Sequence, residues 1–199
     1  MKSKKINLRE CSDGEMVNFL TQAVVGSPET TEITVYAENP ESKKIFKTRM
    51  SQYIGMLRGM HLWYHAAHHA TRGAGFSGDH PNLYGSFYNA LGEEVDGAIE
   101  KAIGLSNDEE FSCPKCITSL ALQVLDKYPS PATIRSLAIA SCALQIEKDY
   151  ARLVDALFRE LESAGCLSMG LNDFLMGSVN DHEGHIYKLQ QRIKSELED

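Results

Sequence analysis

Nothing in the 199-residue sequence is long and apolar enough to cross a bilayer. The longest apolar runs, such as Ser136 to Leu144, fall far short of the roughly 20 residues that a membrane span needs. A secretory leader is not expected either, because polar Asn7, Arg9 and Glu10 follow the basic Met1 to Lys5 where an uninterrupted apolar stretch would stand. Cysteine is sparse: Cys11, Cys113, Cys116, Cys142 and Cys166 make an odd count without the density of a disulfide-built scaffold. These absences lead to the expectation of a cytoplasmic protein with mostly free thiols and no membrane partner.

Positive charge is also in short supply. The 20 Lys and Arg against 27 Asp and Glu leave a formal charge of −7. Binding nucleic acid through the general surface needs clustered Lys and Arg, so this balance argues against it, whereas an acidic body attracts cations. A hydrophobic content of 43% and a charged content of 24% are ordinary for a globular chain, and the length suits one domain with a substantial core. No internal repeat is evident.

The first 45 residues read as an N-terminal extension, residues 1–45. It holds a short helical segment (Gly14 to Ala23), turns at Gly26-Ser27-Pro28 and Asn39-Pro40, and a β-branched patch from Thr31 to Val35. Residues 46–199 form the main domain. From Lys43 to Thr71 there is no proline, and Met50, Tyr53, Ile54, Leu57, Met60, His61, Tyr64 and His68 recur at helical spacing. The glycine-rich break Arg72 to Gly78 follows; Asp79 then stands where it would cap a second helix with Pro81 in its first turn, and Gly104 is the expected stop. A short helix fits between Ile117 and Leu125, and long amphipathic runs cover Thr133 to Ser163, closed by Ala164-Gly165, and Asn172 to Leu197. Four long helices at period 3.6 with no strand series predict an all-α four-helix bundle with a short extra helix in the connection between the second and third helices.

All seven histidines fall in two places: His61, His65, His68, His69 and His80 around the first turn, and His182 and His185 on the last helix. At about 100° per residue, His61, His65 and His68 share one side of their helix, with His61 and His68 on the apolar stripe. The same geometry aligns Glu93, Asp96 and Glu100 on one side of the second helix. Three aligned acids repel one another unless a cation sits among them, and imidazole nitrogen with carboxylate oxygen suits iron, manganese or zinc. Read blandly, the acids are a solvated face and the histidines satisfied core residues.

The stretch His68-His69-Ala70-Thr71-Arg72-Gly73-Ala74-Gly75-Phe76-Ser77-Gly78-Asp79-His80 closely resembles the signature of the Dps family of mini-ferritins. In that signature a histidine ends the first helix and an arginine-glycine turn leads through phenylalanine to a second histidine, here twelve residues on. Asp96-Gly97-Ala98-Ile99-Glu100, then Lys101 and Gly104-Leu105, is similar to the family's Asp-x-x-x-Glu segment, and Asp173 to Gly177 with Asp181 to Leu189 resembles its last helix. There are two departures. His69 stands where a tryptophan is usual, and Pro81 makes the gap from His80 to Asp96 one residue longer.

The resemblance covers about residues 50 to 195 and implies a ferritin-like four-helix bundle. It further implies a hollow homododecamer in which His68 and His80 of one subunit and Asp96 and Glu100 of its neighbour hold and oxidise Fe(II). The expected enzyme is a ferroxidase that uses hydrogen peroxide, stores ferric iron and protects against oxidative damage. Lys2, Lys4, Lys5 and Arg9 form a basic arm that would gain DNA affinity through multivalency, against the acidic body. His61 and His65 look like additions to the family pattern.

Other residues carry less. Cys113-x-x-Cys116 lacks the second pair that a structural zinc site needs, and His182 and His185 read as a hydrogen-bond network with Asp181. Two alternative functions use the same bundle. One is an intrasubunit di-iron oxidase built from Glu147, Glu183, His182 or His185 with His61 or His65, against which stands the absence of any Glu-x-x-His. The other is a non-enzymatic cage or DNA-condensing structural protein.

Overall fold

The computed structural model describes residues 39–73 and 75–197, with side chains as far as residue 194. The readings made for Gly14 to Ala23, for Thr31 to Val35 and for the basic arm lie outside the described residues. Among the described residues the regular elements are all helical and there is no strand, as the period of the apolar positions requires.

The first helix, α1 (Pro40–Ala70), begins three residues before the expected start at Lys43. Asn39 is the reason: its side chain accepts the Ser42 N–H at 2.8 Å, and Pro40 takes the first helical position, where a missing N–H leaves nothing unsatisfied. At the other end Thr71 turns extended and its hydroxyl donates to the Ala67 carbonyl at 2.8 Å. A short turn, Phe76–Gly78, then leads into a π-helical segment, Asp79–Gly85, that runs straight into α2 (Ser86–Ser106). Asp79 is not a cap. It is itself helical and buried, and its carboxylate accepts both bonds of the Arg192 Nε–H, at 2.8 and 2.9 Å.

The second helix also runs past Gly104, its expected stop. It ends where Asn107 adopts the left-handed conformation (φ 53°) and donates its N–H to the Ile103 carbonyl at 2.7 Å. Asparagine tolerates that conformation, so a glycine three residues earlier was not needed to end the helix. The connection to the third long helix contains α3 (Pro114–Leu125) between short 3-10 turns at Glu109–Ser112 and Pro131–Thr133. Next come α4 (Ser136–Ser163) and α5 (Met169–Leu197). The Ala164-Gly165 closure holds: Gly165 has φ 67°, Cys166 N–H bonds the Leu161 carbonyl at 2.8 Å and Gly165 N–H the Glu162 carbonyl at 3.0 Å, the paired bonds of a Schellman motif.

The four long helices contribute to one core. Tyr53, Leu57 and Tyr64 of α1, Phe87, Leu91 and Ala98 of α2, Ile146, Tyr150 and Val154 of α4, and Leu171, Leu175 and Leu189 of α5 are all buried in it. Against α1 lies α3, at a distance set by glycine: a Cβ at Gly59 would meet Val124 Cβ at 2.7 Å.

Candidate metal centre

His68 ends α1 and His80 lies in the π-helical segment, and the turn between them brings their rings face to face, with centroids 3.6 Å apart and planes 21° from parallel. The Nδ1 of each ring lies 2.7 Å from the backbone carbonyl oxygen of the other residue. A carbonyl can only accept, so both Nδ1 atoms donate, which in the neutral ring leaves the lone pair on Nε2. Metal-ligating histidines are held by this kind of anchor, which fixes tautomer and ring direction together. Both rings are half-buried, with Phe76 stacked on His80 at 4.7 Å and Tyr88 5.3 Å from His68.

Asp96 and Glu100 are exposed on α2, as is Glu93. Tyr88 marks where α2 passes His68. At the 1.5 Å rise of a helix, Asp96 lies about 12 Å and Glu100 about 18 Å further along. The four predicted ligands therefore do not converge within one chain. Between His80 and Asp96 the chain is π-wound as far as Gly85, and a π turn holds more residues than an α turn.

The other histidines of this region form a ladder on α1. His65 and His69 are exposed, with their Nε2 atoms 3.2 Å apart, and His61 is half-buried beside Tyr88, at 6.0 Å. Burial, with the Arg58 charge 3.4 Å away and His65 nearby, lowers the His61 pKa. Only part of the ladder thus faces inward as the periodicity predicts.

A second constellation lies inside the core. Glu147 of α4 and His182 and His185 of α5 are 0%, 1% and 9% exposed, and their donor atoms lie within 4.8 Å of one another. Among the described residues no other group of three or more His, Cys, Asp or Glu meets that condition. His182 bridges two acids: its Nδ1 bonds Glu147 Oε2 and its Nε2 lies 3.1 Å from Glu94 Oε2. Two carboxylate partners require donors at both nitrogens, hence an imidazolium. Burial opposes that charge, but Glu147 and Glu94 outweigh it and raise the His182 pKa to about 9. Burial likewise disfavours the Glu147 carboxylate, and the His182 charge with the histidine contacts overrides it, holding the carboxyl at about 2.

A layer of hydroxyls supports these acids. Tyr64 OH donates to Glu147 Oε1 at 2.6 Å, Tyr150 OH and Tyr53 OH donate to Glu94 Oε1 at 2.8 and 3.0 Å, and Ser178 bonds the same oxygen. Tyr150 stacks on His182 at 3.9 Å and Phe87 on His185 at 3.7 Å. The Nδ1 of His185 is buried without a hydrogen-bond partner, 3.4 Å from Glu147 Oε1.

Sequence reasoning placed His182 and His185 in a network with Asp181, which is exposed, or in an intrasubunit site with Glu147 and Glu183, of which Glu147 meets them and Glu183 is exposed; their partners come from α2 and α4. Glu94 was passed over for its neighbour Glu93. The signal was available, since Glu94 sits between Leu91 and Ala98 at helical spacing, on the buried side. Cys113, Cys116, Cys142 and Cys166 are free thiols. Among the described residues no helix is long and apolar enough to cross a membrane. No family model, curated protein or solved structure matches the chain.

Proposed function

We propose that the chain is a mini-ferritin of the Dps type: a ferritin-like four-helix bundle that assembles as a hollow dodecamer, oxidises Fe(II) and stores the ferric product. The observation that carries this reading is the reciprocal anchoring of His68 and His80, which engages both Nδ1 atoms with backbone carbonyls and leaves both Nε2 atoms outside those bonds. Such a pair is half of a ferrous site. Asp96 and Glu100, exposed and aligned on α2, supply the other half to a neighbouring subunit across a two-fold contact.

In such a shared site the imidazoles favour Fe(II) and the carboxylates favour the Fe(III) that forms. Each Fe(II) gives up one electron, and hydrogen peroxide takes up electrons and protons to leave as water. Ferric iron then passes into the acidic interior and mineralises, so both reagents of hydroxyl-radical chemistry are consumed. The net charge of −7 favours the gathering of cations and disfavours DNA as the main partner. Replacing Asp96 and Glu100 with Ala tests the reading: rapid oxidation of Fe(II) by peroxide is lost from a correctly assembled shell, and an unchanged rate rejects the site.

A further inference from the structure

We propose that Glu147, His182 and His185 form a second metal centre, internal to each chain, that holds one divalent first-row transition ion through two imidazole nitrogens and a carboxylate.

The geometry comes first. Three donors from two facing helices lie within 4.8 Å of one another in a place closed to solvent. His182 and His185 stand three residues apart on α5, so their rings leave one face of the helix toward Glu147 on α4. A buried nitrogen without a hydrogen bond is destabilising, and His185 Nδ1 is such an atom, with the Glu147 carboxylate 3.4 Å away as its ion-pair partner. An ion between these groups gives that nitrogen a bond and takes the place of the proton between His182 Nδ1 and Glu147.

The surroundings are those of a ligand set held in place. With His182 Nδ1 turned to the ion, its Nε2–H donates to Glu94, a carboxylate outside the ligand set that fixes the ring and raises its basicity. Tyr64 holds Glu147 in the same way, and Tyr150 and Phe87 clamp the two imidazoles by stacking. Charge points the same way. Glu94 and Glu147 are two largely buried acids whose ion-pair partners are histidines, and a dication neutralises both where one imidazolium neutralises one. Two nitrogens and one oxygen suit iron, manganese, cobalt or zinc and not magnesium or calcium, and three protein ligands leave a coordination position open.

The centre shares no residue with the site at His68, His80, Asp96 and Glu100, so either can fail without the other. The test uses the full chain, stripped with chelator and titrated with Co(II), in a His65→Ala/His69→Ala background that removes the exposed imidazole pair. In chains that also carry Asp96→Ala/Glu100→Ala, so that the shared site is disabled, one Co(II) per chain is expected, with visible d–d absorption that survives gel filtration. His185→Ala abolishes the absorption, whereas Glu94→Gln, which alters only the outer partner, weakens binding about 10- to 100-fold. A folded, stripped protein that takes up no Co(II), or a spectrum indifferent to His185→Ala, overturns the proposal. If His185→Ala does not fold, X-ray absorption at the cobalt edge of the unsubstituted ligand set decides: two imidazoles with oxygen support the centre, and fewer imidazoles or any sulfur overturns it.

Discussion

A methyl group at Gly85 would stand 3.1 Å from His68 Nδ1 and 2.7 Å from the His80 carbonyl oxygen to which that nitrogen donates. The absence of a side chain at Gly85 is therefore what lets the π-helical segment close on the end of α1 and the two histidines anchor each other. The backbone oxygen cannot swing aside as a flexible side chain would. Gly85→Ala is expected to destabilise the fold by about 1–3 kcal/mol, the usual cost of overpacking, and to slow Fe(II) oxidation although no ligand is removed. Thermal unfolding with stopped-flow oxidation checks both. A variant with unaltered stability and rate would show that this contact does not hold the pair.

The α1–α3 contact makes a similar prediction with the opposite sign from helix propensity. In an exposed helix, Ala in place of Gly stabilises by about 1 kcal/mol. At Gly59 the added carbon meets Val124 Cβ at 2.7 Å and the Ala121 carbonyl at 3.2 Å, so the steric term wins. Gly59→Ala is expected to lose about 1–3 kcal/mol in a denaturant titration. A gain would mean that α3 can move away from α1 at little cost.

Metal-free protein should have a stability window set by the buried His182 and Glu147. His182 is raised from an ordinary 6.5 to about 9, so its contribution is complete below 6.5 and is lost as pH rises through 9. Glu147 is lowered from 4.5 to about 2, so its contribution is complete above 4.5 and is lost as pH falls toward 2. Unfolding temperatures measured in chelator should thus be highest between about pH 4.5 and 6.5 and fall on the alkaline side through pH 9. A flat profile from pH 6 to 10 that is shared by His182→Ala would show that the bridge does not form.

Much of the fold could be read from the chain, because helix period and end signals are local. Asn39 and Gly165 set their helix ends through their own side chain or φ, and the twelve-residue spacing of His68 and His80 survives as a direct contact. Gly104 misled because a glycine permits a stop without forcing one, and Asn107 supplied the left-handed residue instead. The buried constellation was legible only in part. Leu171, Leu175, Ser178, His182, His185 and Leu189 recur at alternating steps of four and three and are all buried, so the inward direction of both histidines was written in the period. Of their partners, Glu147 enters the sequence reading only through the intrasubunit alternative, and Glu94 does not enter it. Which acid meets an inward histidine depends on how α2 and α4 are rotated against α5, and periodicity along one helix carries no record of that. A charged residue on an apolar stripe, as Glu94 and Glu147 both are, is the sequence feature that marks a buried partner.

Subunit mixing tests the proposed shared ferrous site most directly. Chains carrying His68→Ala/His80→Ala lack the imidazole half, and chains carrying Asp96→Ala/Glu100→Ala lack the carboxylate half. Each shell alone should fail to oxidise Fe(II) rapidly with peroxide. Shells co-assembled from equal amounts of the two should recover activity at about a quarter of the sites, because random pairing across a two-fold contact joins an intact imidazole pair to an intact acid pair that often. Co-assembled shells as inactive as their parents, or either parent alone at the full rate, would contradict a site divided between two chains.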